Sequence, residues 1–384
     1  MPVPALTILA DENIALVDEA FAPLGTLRTV PGRSITPAMV ADVDVLLVRS
    51  ITRVDAALLA RSRCQFVGTA TSGTDHIDLA WLEEQGITFA DAHGCNAEGV
   101  VDYVLTALAF LAARDGTDWT RRSIGIVGCG AVGSRLAKRA LALGMQVRIH
   151  DPFLDGSHAL AACFSSLEDV LQQEIVSLHI PLTHTGPWPT FHLLNSARLA
   201  LLRSDGILIN AARGAVLDTQ ALLSRMTKTP ALQVVLDAWE AEPAVNIELL
   251  ARVQAGTPHI AGYSRLGKLR GTQLLLDALH RYLGRGTQPP LYKEDNVDLD
   301  LTQLPKESDA QFRDRCILTA CDLAGDHAAM QLMLHVPPAQ AALDFDCLRK
   351  TYVERAEFGQ CVLRTTATQG SVVPALRAVG FTLR

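Results

Sequence analysis

Three glycines in the spacing G-x-G-x-x-G constrain the fold of this chain more than any other feature. They are Gly128, Gly130 and Gly133. Residues 122–127 before them have the composition of a short buried strand, and residues 134–143 after them carry apolar residues at helical spacing. A strand, a glycine-rich turn and a helix in this order bind dinucleotide phosphates, although a turn without any cofactor can share the pattern.

Each glycine has its own expected role in such a turn. Gly128 would make the tight turn, Gly130 would let the backbone approach a pyrophosphate, and Gly133 would let the helix lie close to the strand. The N–H groups at the start of the helix, at Ala131 and Val132, would then face the phosphates. We therefore predict that these five residues bind the cofactor.

A carboxylate follows the next predicted strand, over residues 145–149. Asp151 lies about 20 residues beyond Gly133, where an acidic side chain accepts hydrogen bonds from ribose hydroxyls. A carboxylate at this position would repel a 2′-phosphate. The sequence therefore predicts NAD rather than NADP as the cofactor.

Composition indicates an ordinary soluble protein of two or three domains. The 384 residues are 49% hydrophobic and 20% charged, and a net charge of −7 argues against nucleic acid as a partner. The longest apolar run, near residues 104–113, is too short to span a bilayer, and residues 1–4 lack the features of a signal peptide. The eight cysteines are scattered and show no zinc spacing. We expect reduced thiols, a cytoplasmic location, no metal and no membrane partner.

Strands and helices are predicted to alternate through most of the chain, which is typical of parallel sheets covered by helices on both faces. Strands are predicted at residues 6–11, 43–48, 65–69, 87–89, 175–178, 206–210 and 233–237, and helices at 14–21, 54–61 and 97–113. The predicted fold class is α/β, with two doubly wound parallel-sheet (Rossmann-like) domains and a small C-terminal α+β domain.

The C-terminal part begins after a predicted linker at residues 284–290, which contains Gly and two consecutive prolines. Beyond it we predict a helix near residues 309–324 and strands at 360–366 and 378–382. We expect residues 1–95 and 264–286 to form a substrate domain and residues 96–263 to form an NAD-binding domain. Residues 287–384 would form the third domain.

Three polar residues of the second half suit the oxidation of a 2-hydroxy acid. Arg213, in Asn-Ala-Ala-Arg-Gly after a predicted strand, has forked donors that can orient a carboxylate and polarise the reacting oxygen. His259 suits the base that takes the hydroxyl proton, because imidazole exchanges protons near neutral pH. Glu242 suits the carboxylate that orients the imidazole ring and favours its protonated form.

Each of these residues also has an ordinary structural interpretation. Arg213 could form a surface ion pair, His259 could be a structural histidine, and Glu242 could simply end a strand. Glu240 or Asp237 could replace Glu242 as the partner of the imidazole. The ordered set of glycine turn, arginine, glutamate and histidine is more specific than any member of it.

Two polar loops are expected at the carboxyl ends of strands in the N-terminal half, where such folds bind ligands. In the loop at residues 49–53, Arg49 and Arg53 flank Ser50 and offer positive charge to a phosphate or a carboxylate. The alternative is that both arginines are solvated at the rim. The loop at residues 71–75 offers small hydroxyl donors.

These pieces together resemble the D-isomer-specific 2-hydroxyacid dehydrogenase family over roughly residues 5–285. The resemblance lies in the glycine turn and in the motifs at residues 210–214, 236–243 and 257–262. It implies Arg213, Glu242 and His259 as the catalytic set, with His259 accepting the proton.

The resemblance also implies binding roles for further residues. Substrate would be contacted by Ser50, Thr71 and Tyr263. The cofactor site would be lined by Asp151, Ala211, Ala212, Arg213, Asp237 and Gly262. Residues 48–54, 70–78 and 259–272 are similar to a member that oxidises a small phosphorylated 2-hydroxy acid with NAD and dimerises through an added C-terminal domain.

That similarity implies a homodimer in which residues 287–384 form the dimerisation domain. Two other functions stay open. The chain could be a related dehydrogenase that acts on 3-phosphoglycerate or glycerate. It could instead be a non-catalytic NAD-sensing binding protein, although such a protein need not retain an acid–base pair.

Overall fold

The structure is a computed structural model that describes residues 6–302, 308–364 and 367–384. The chain forms two compact units. One comprises Met1–Asn96 and Arg265–Glu294, and the other comprises Ala97–Ser264 and Asp295–Arg384. Among the described residues, no helix is long and apolar enough to cross a membrane, and no group of three or more potential ligand side chains could hold a metal ion.

The first unit contains a five-stranded parallel sheet. Its strands, in spatial order, are Gly25–Val30, Leu6–Asp11, Val45–Val48, Phe66–Thr69 and Thr88–Asp91. Its helices are Val17–Phe21, Pro37–Val40, Ala56–Leu59, Leu79–Glu84 and Arg265–Tyr282. The central strands are buried because their Val, Leu and Phe side chains pack against helices on both faces.

The second unit contains a six-stranded parallel sheet. Its strands, in spatial order, are Ala255–Gly256, Gln233–Leu236, Ile207–Asn210, Ile175–Leu178, Ile124–Val127 and Val147–His150. Its first helices are Ala97–Asp115, Ala131–Ala142, Leu167–Leu171, Ser196–Leu199, Thr219–Lys228 and Ile247–Leu250. The prediction of two parallel-sheet α/β domains is confirmed.

The strand order in the second unit locates a ligand crevice. Ile124–Val127 lies between the strands that follow it in sequence, Val147–His150 on one side and Ile175–Leu178 on the other. The winding of the sheet reverses at this point, and open α/β sheets bind ligands outside the carboxyl ends of the strands there. The glycine turn begins at the carboxyl end of Ile124–Val127.

Within its described residues, the C-terminal part adds a small parallel sheet and four α-helices to the second unit. The strands are Val297–Asp300, Cys361–Arg364 and Thr382–Leu383, and the helices are Asp309–Ala320, Leu323–Gln331, Pro338–Thr351 and Val373–Val379. Phe312 and Ile317 join the same buried core as Tyr103 and Leu108 of the helix Ala97–Asp115. That long helix is therefore buried on nearly every face.

Two predictions for this part are wrong in detail. The strand predicted at residues 378–382 overlaps the helix Val373–Val379, which Gly380 ends at φ 119° before the short strand Thr382–Leu383. The helix predicted at residues 309–324 is two helices, because Asp322 caps a new one through the N–H of Gly325. Of the strand predicted at residues 360–366, Cys361–Arg364 is present, and residues 365–366 lie outside the described residues.

Candidate active site

The three glycines of the turn meet three different steric demands. Gly128 has φ +93°, and a Cβ atom on it would lie 2.4 Å from the carbonyl oxygen of His179. Gly133 faces the strand so closely that a Cβ atom would lie 1.9 Å from the carbonyl oxygen of Gly128. A Cβ atom on Gly130, in contrast, would have no atom of the described residues within 4 Å beyond its own chain neighbours. The backbone at Gly130 is therefore accessible to a ligand.

The helix that follows this turn, Ala131–Ala142, has an N-terminus suited to an anion. Gly130 precedes it, and no side chain of the described residues caps its first N–H groups. Uncapped N–H groups and the positive end of the helix dipole favour bound phosphate. The turn therefore fits the pyrophosphate of a dinucleotide.

Asp151 lies at the carboxyl end of the strand next to the glycine turn. Its Oδ2 accepts a hydrogen bond from the N–H of Cys129 (2.8 Å), and its Oδ1 accepts one from the N–H of Phe153 (3.1 Å). The carboxylate is thus tied to the turn itself. Each carboxylate oxygen of Asp151 retains a lone pair that could accept a hydrogen bond from a ribose hydroxyl.

His179 packs behind the glycine turn and should make stability depend on pH. Its ring is only partly exposed, and desolvation lowers its pKa from 6.5 to about 3; its Nε2 lies 2.9 Å from Oγ of Ser177. In the unfolded chain the imidazole of His179 binds a proton near pH 6.5, whereas in the folded chain it stays neutral there. The free energy of unfolding therefore falls as the pH drops below 6.5. Between pH 6.5 and pH 5 the expected loss from this one group is about 2 kcal/mol.

Urea unfolding of the wild type and of His179→Gln, followed at several pH values, measures this contribution. The variant should lose about 2 kcal/mol less on acidification than the wild type does. The exposed His184 provides the control, because His184→Gln should retain the wild-type slope. Equal slopes in the wild type and in His179→Gln would show that His179 is protonated in the folded protein.

Asp237 ends the strand Gln233–Leu236 and organises the loop that carries His259. The carboxylate is buried and accepts hydrogen bonds from Oγ1 of Thr257 (2.6 Å), from the N–H of Ile260 (2.7 Å) and from the N–H of Ala261 (2.9 Å). The backbone carbonyl of Asp237 accepts the N–H of His259 (2.9 Å). The carboxylate oxygens of Asp237 are therefore already hydrogen-bonded to the loop that carries His259.

Glu242 is the carboxylate that contacts the imidazole of His259. Its Oε2 lies 2.8 Å from Nδ1 of His259, and its Oε1 accepts the N–H of Trp239 (2.7 Å). Burial raises the pKa of Glu242, but the charge and hydrogen bond of His259 and the Trp239 N–H lower it further, and the net shift is downward. An ionised carboxylate at Nδ1 holds the proton there and leaves Nε2 to accept another.

The two other carboxylates that the sequence offered as partners are engaged elsewhere. Glu240 lies 2.6 Å from Nε2 of His192 and also accepts the N–H of Thr219. Asp237 bonds the backbone next to His259 but not its ring. Of the three alternatives, the hydrogen bond to the imidazole belongs to Glu242.

Arg213 lies on the neighbouring loop, after the strand Ile207–Asn210. The Asn210 side chain shapes this turn, since Nδ2 donates to the carbonyl of Arg213 (3.0 Å) and Oδ1 accepts the N–H of Ala212 (3.1 Å). A Cβ atom on Gly214 would lie 1.9 Å from the carbonyl carbon of Trp239, so the turn abuts the loop that carries Glu242.

Arg213, Glu242 and His259 therefore follow three neighbouring parallel strands at their carboxyl ends. The third of these strands, Ala255–Gly256, is only two residues long and was missed from the sequence. Ala211 and Ala212 lie in the loop that carries Arg213, and Gly262 lies in the loop that carries His259. Tyr263 follows directly, and its N–H donates to the carbonyl of Ile260.

The remaining predicted site residues lie in the first unit. Ser50 is exposed after the strand Val45–Val48, and Oγ1 of Thr71 lies 2.8 Å from that of Thr69 and donates to the carbonyl of Gly73 (3.1 Å). In the loop that carries Ser50, Arg53 is exposed and forms an ion pair with Asp55. This contact favours the interpretation of Arg53 as a rim residue.

The C-terminal part contacts the same loops, through residues that carry no sequence motif. Arg349 donates from Nη2 to the hydroxyl oxygen of Tyr263 (3.3 Å). Arg355 is buried and donates to the carbonyls of Ile260, Ala261 and Gly99. More than 80 residues separate these partners, so no local spacing could have revealed them.

Comparisons with known proteins agree with this geometry. Residues 108–261 match the family model for the NAD binding domain of D-isomer specific 2-hydroxyacid dehydrogenases. An NAD⁺-bound 3-phosphoglycerate dehydrogenase of Entamoeba histolytica superposes with a TM-score of 0.63 at 20% identity, over 75% of this chain and 99% of that one. A formate dehydrogenase of Staphylococcus aureus in complex with NAD superposes with a TM-score of 0.61 at 21% identity, over 72% and 96%. These two structures show the shared fold.

Full-length relatives are more similar. Erythronate-4-phosphate dehydrogenase of Marinobacter nauticus is 44% identical over 99% of this chain and 100% of its own length. The enzyme of the same name from Cellvibrio japonicus is 44% identical over 98% of this chain and 99% of its own length. Because such relatives span the whole sequence, the chain belongs to the erythronate-4-phosphate dehydrogenase family of D-isomer-specific 2-hydroxyacid dehydrogenases.

Proposed function

We propose that this protein oxidises 4-phospho-D-erythronate to 2-oxo-3-hydroxy-4-phosphobutanoate with NAD, as a step in pyridoxal 5′-phosphate biosynthesis. The observation that carries the proposal is the hydrogen bond between Glu242 and His259, next to the Arg213 turn of a dinucleotide-binding sheet. Full-length relatives with the corresponding name support the substrate.

The chemistry divides among the three catalytic candidates. Arg213 orients the substrate carboxylate and polarises the oxygen that becomes the ketone. Nε2 of His259 takes the proton of the C2 hydroxyl, and Glu242 stabilises the imidazolium that results. NAD, when bound, supplies the nicotinamide ring that accepts the hydride from C2. The substrate thus loses the proton of its C2 hydroxyl and the hydride of its C2–H bond, a two-electron oxidation that leaves a ketone at C2.

The glycine turn and two loops would hold the cofactor. Gly128, Gly130, Ala131, Val132 and Gly133 would bind the pyrophosphate through backbone N–H groups. The other candidates are Asp151 at the ribose and Ala211, Ala212, Arg213, Asp237 and Gly262 around the nicotinamide. Asp237 would act by holding its loop, because its carboxylate oxygens are already hydrogen-bonded. The charge of Asp151 favours NAD over NADP.

Substrate would be contacted by Ser50, Thr71 and Tyr263. We also propose that the protein is a cytoplasmic homodimer assembled through residues 287–384. Three large apolar side chains in that part, Leu332, Leu343 and Val353, are exposed in the single chain and are suited to burial between two copies. Analytical ultracentrifugation would detect the dimer.

An assay of NADH formation tests the proposed reaction. The purified protein is mixed with NAD and 4-phospho-D-erythronate, 3-phosphoglycerate or glycerate, and the substrates are ranked by kcat/KM. The highest value is expected for 4-phospho-D-erythronate. A higher value for another acid would identify a related dehydrogenase, and tight NAD(H) binding without any turnover would identify a binding protein.

A further inference from the structure

The last turn of the helix Pro338–Thr351 brings a cation to the candidate active site. Nη2 of Arg349 lies 3.3 Å from the hydroxyl oxygen of Tyr263, and its guanidinium carbon lies 5.9 Å from the centre of the tyrosine ring. Tyr263 lies four residues beyond His259 and is itself a candidate for substrate contact. Arg349 and both of these residues belong to the same compact unit.

Most of the hydrogen-bonding capacity of Arg349 is unused. A guanidinium has five N–H donors, and among the described residues the only acceptor within reach is the Tyr263 hydroxyl. Within the part of the chain that the structure describes, its Nε is buried without a hydrogen-bond partner and no carboxylate lies within 4.0 Å of the guanidinium. Burial lowers the pKa of Arg349, but the hydrogen bond to Tyr263 and the nearby carboxylates of Glu242 and Asp237 outweigh this effect, so the net shift is upward and the side chain stays charged.

With no carboxylate of the described residues in contact, the guanidinium of Arg349 has donors available for an anionic ligand. The planar fork of arginine matches the oxygens of a carboxylate or a phosphate in two parallel hydrogen bonds. The proposed substrate carries both groups. We propose that Arg349 binds an anionic group of the substrate, phosphate or carboxylate, so that the C-terminal part completes the substrate site. This inference rests on the proposed function.

The C-terminal part also fixes the loop against which Arg349 lies. Glu357 accepts a hydrogen bond from Oγ of Ser264 (2.6 Å), and Nδ1 of His327 accepts the N–H of Gly256 (3.0 Å). The buried Arg355 binds the carbonyls of Ile260 and Ala261 in the same loop. These contacts lie before, within and after the loop that carries His259, and they hold that loop against the C-terminal part. Arg349 is therefore placed next to the loop by more than its own contact with Tyr263.

Steady-state kinetics of Arg349→Met in the full chain test the proposal. We expect the KM for 4-phospho-D-erythronate to rise about 10-fold to 100-fold, the effect of losing a hydrogen-bonded charge, and kcat to change much less. The matched control is Arg377→Met, because Arg377 is an exposed arginine of the same C-terminal part. Its KM should equal that of the wild type.

D-Erythronate, which lacks the phosphate, identifies the group that Arg349 binds. If the partner is the phosphate, Arg349→Met raises KM for the phosphorylated substrate alone. If it is the carboxylate, KM rises for both substrates. Wild-type turnover reports the proposed function independently, so failure of one proposal is distinguishable from failure of the other.

An unchanged KM in a folded Arg349→Met protein would overturn the inference. So would a changed pH profile of kcat at constant KM, because Arg349 would then act only through the charge of Glu242. If Arg349→Met does not fold, Arg349→Lys decides, since lysine keeps the charge but loses the fork. A KM raised more than about threefold would support the proposal, and a wild-type KM would contradict it.

Discussion

His259→Asn is expected to lower kcat for 4-phospho-D-erythronate about 1000-fold, because the C2 hydroxyl loses its proton acceptor. Asparagine is the informative replacement, since His259 has φ +57° and asparagine tolerates this left-handed conformation better than alanine does. Binding of NAD should stay within about threefold of the wild type, because the glycine turn is untouched. Steady-state kinetics and titration with NAD measure the two quantities.

The chain contains a matched control for this substitution. His192 also has a positive φ, +47°, and also contacts a glutamate, Glu240, at 2.6 Å. His192→Asn therefore removes the same kind of pair from the same unit and should leave kcat nearly unchanged. Equal losses in the two variants would mean that structural damage, rather than loss of the base, explains the effect.

Gly133→Ala should destabilise the second unit by about 3 kcal/mol or more, the upper range for forcing extra atoms into a packed site. The new Cβ would lie 1.9 Å from the carbonyl oxygen of Gly128, which is backbone and cannot rotate away. The helix Ala131–Ala142 would have to move off the strand before it. Urea unfolding without NAD measures the loss.

Gly130→Ala separates stability from cofactor binding at the same turn. Gly130 has φ −72°, and a Cβ atom there would meet no atom of the residues that the structure describes within 4 Å, so stability should change by less than about 0.5 kcal/mol. The added methyl group would occupy the space predicted for the pyrophosphate, so the Kd for NAD should rise about tenfold or more. Similar losses of stability in both variants would contradict the distinct steric roles of the two glycines.

The parts of the fold that were predicted from the sequence are those with strong local signals. The strands at residues 6–11 and 175–178 were predicted with their observed ends, because they are short, mostly apolar segments within parallel sheets. The edge strand Gly25–Val30 was missed because its side chains are mostly exposed or half-buried and show no apolar run. The helix Val373–Val379 was misread because Val, Phe and Thr around Gly380 favour a strand locally, whereas burial of Leu376 and Val379 favours the helix.

The candidate site was predictable as a set of motifs but not as a set of contacts. Glu240 and Glu242 both precede Pro243 closely, and only the folded loop shows that Glu242 turns toward His259 while Glu240 turns toward His192. Arg349 carries no motif at all. Its role as a candidate depends on tertiary packing that brings residues from distant parts of the chain together.

The burial of the long helix Ala97–Asp115 under the C-terminal helices limits how far the protein can be truncated from its C-terminus. Asp102 on that helix is buried, forms an ion pair with Arg139 and accepts the N–H of Phe358. A stop codon after residue 290 would remove the C-terminal helices that pack on this helix and would expose a broad apolar surface to water. Truncation alone is therefore expected to leave the second unit without part of its core. A stable shortened protein would require redesign of that helix surface with polar side chains.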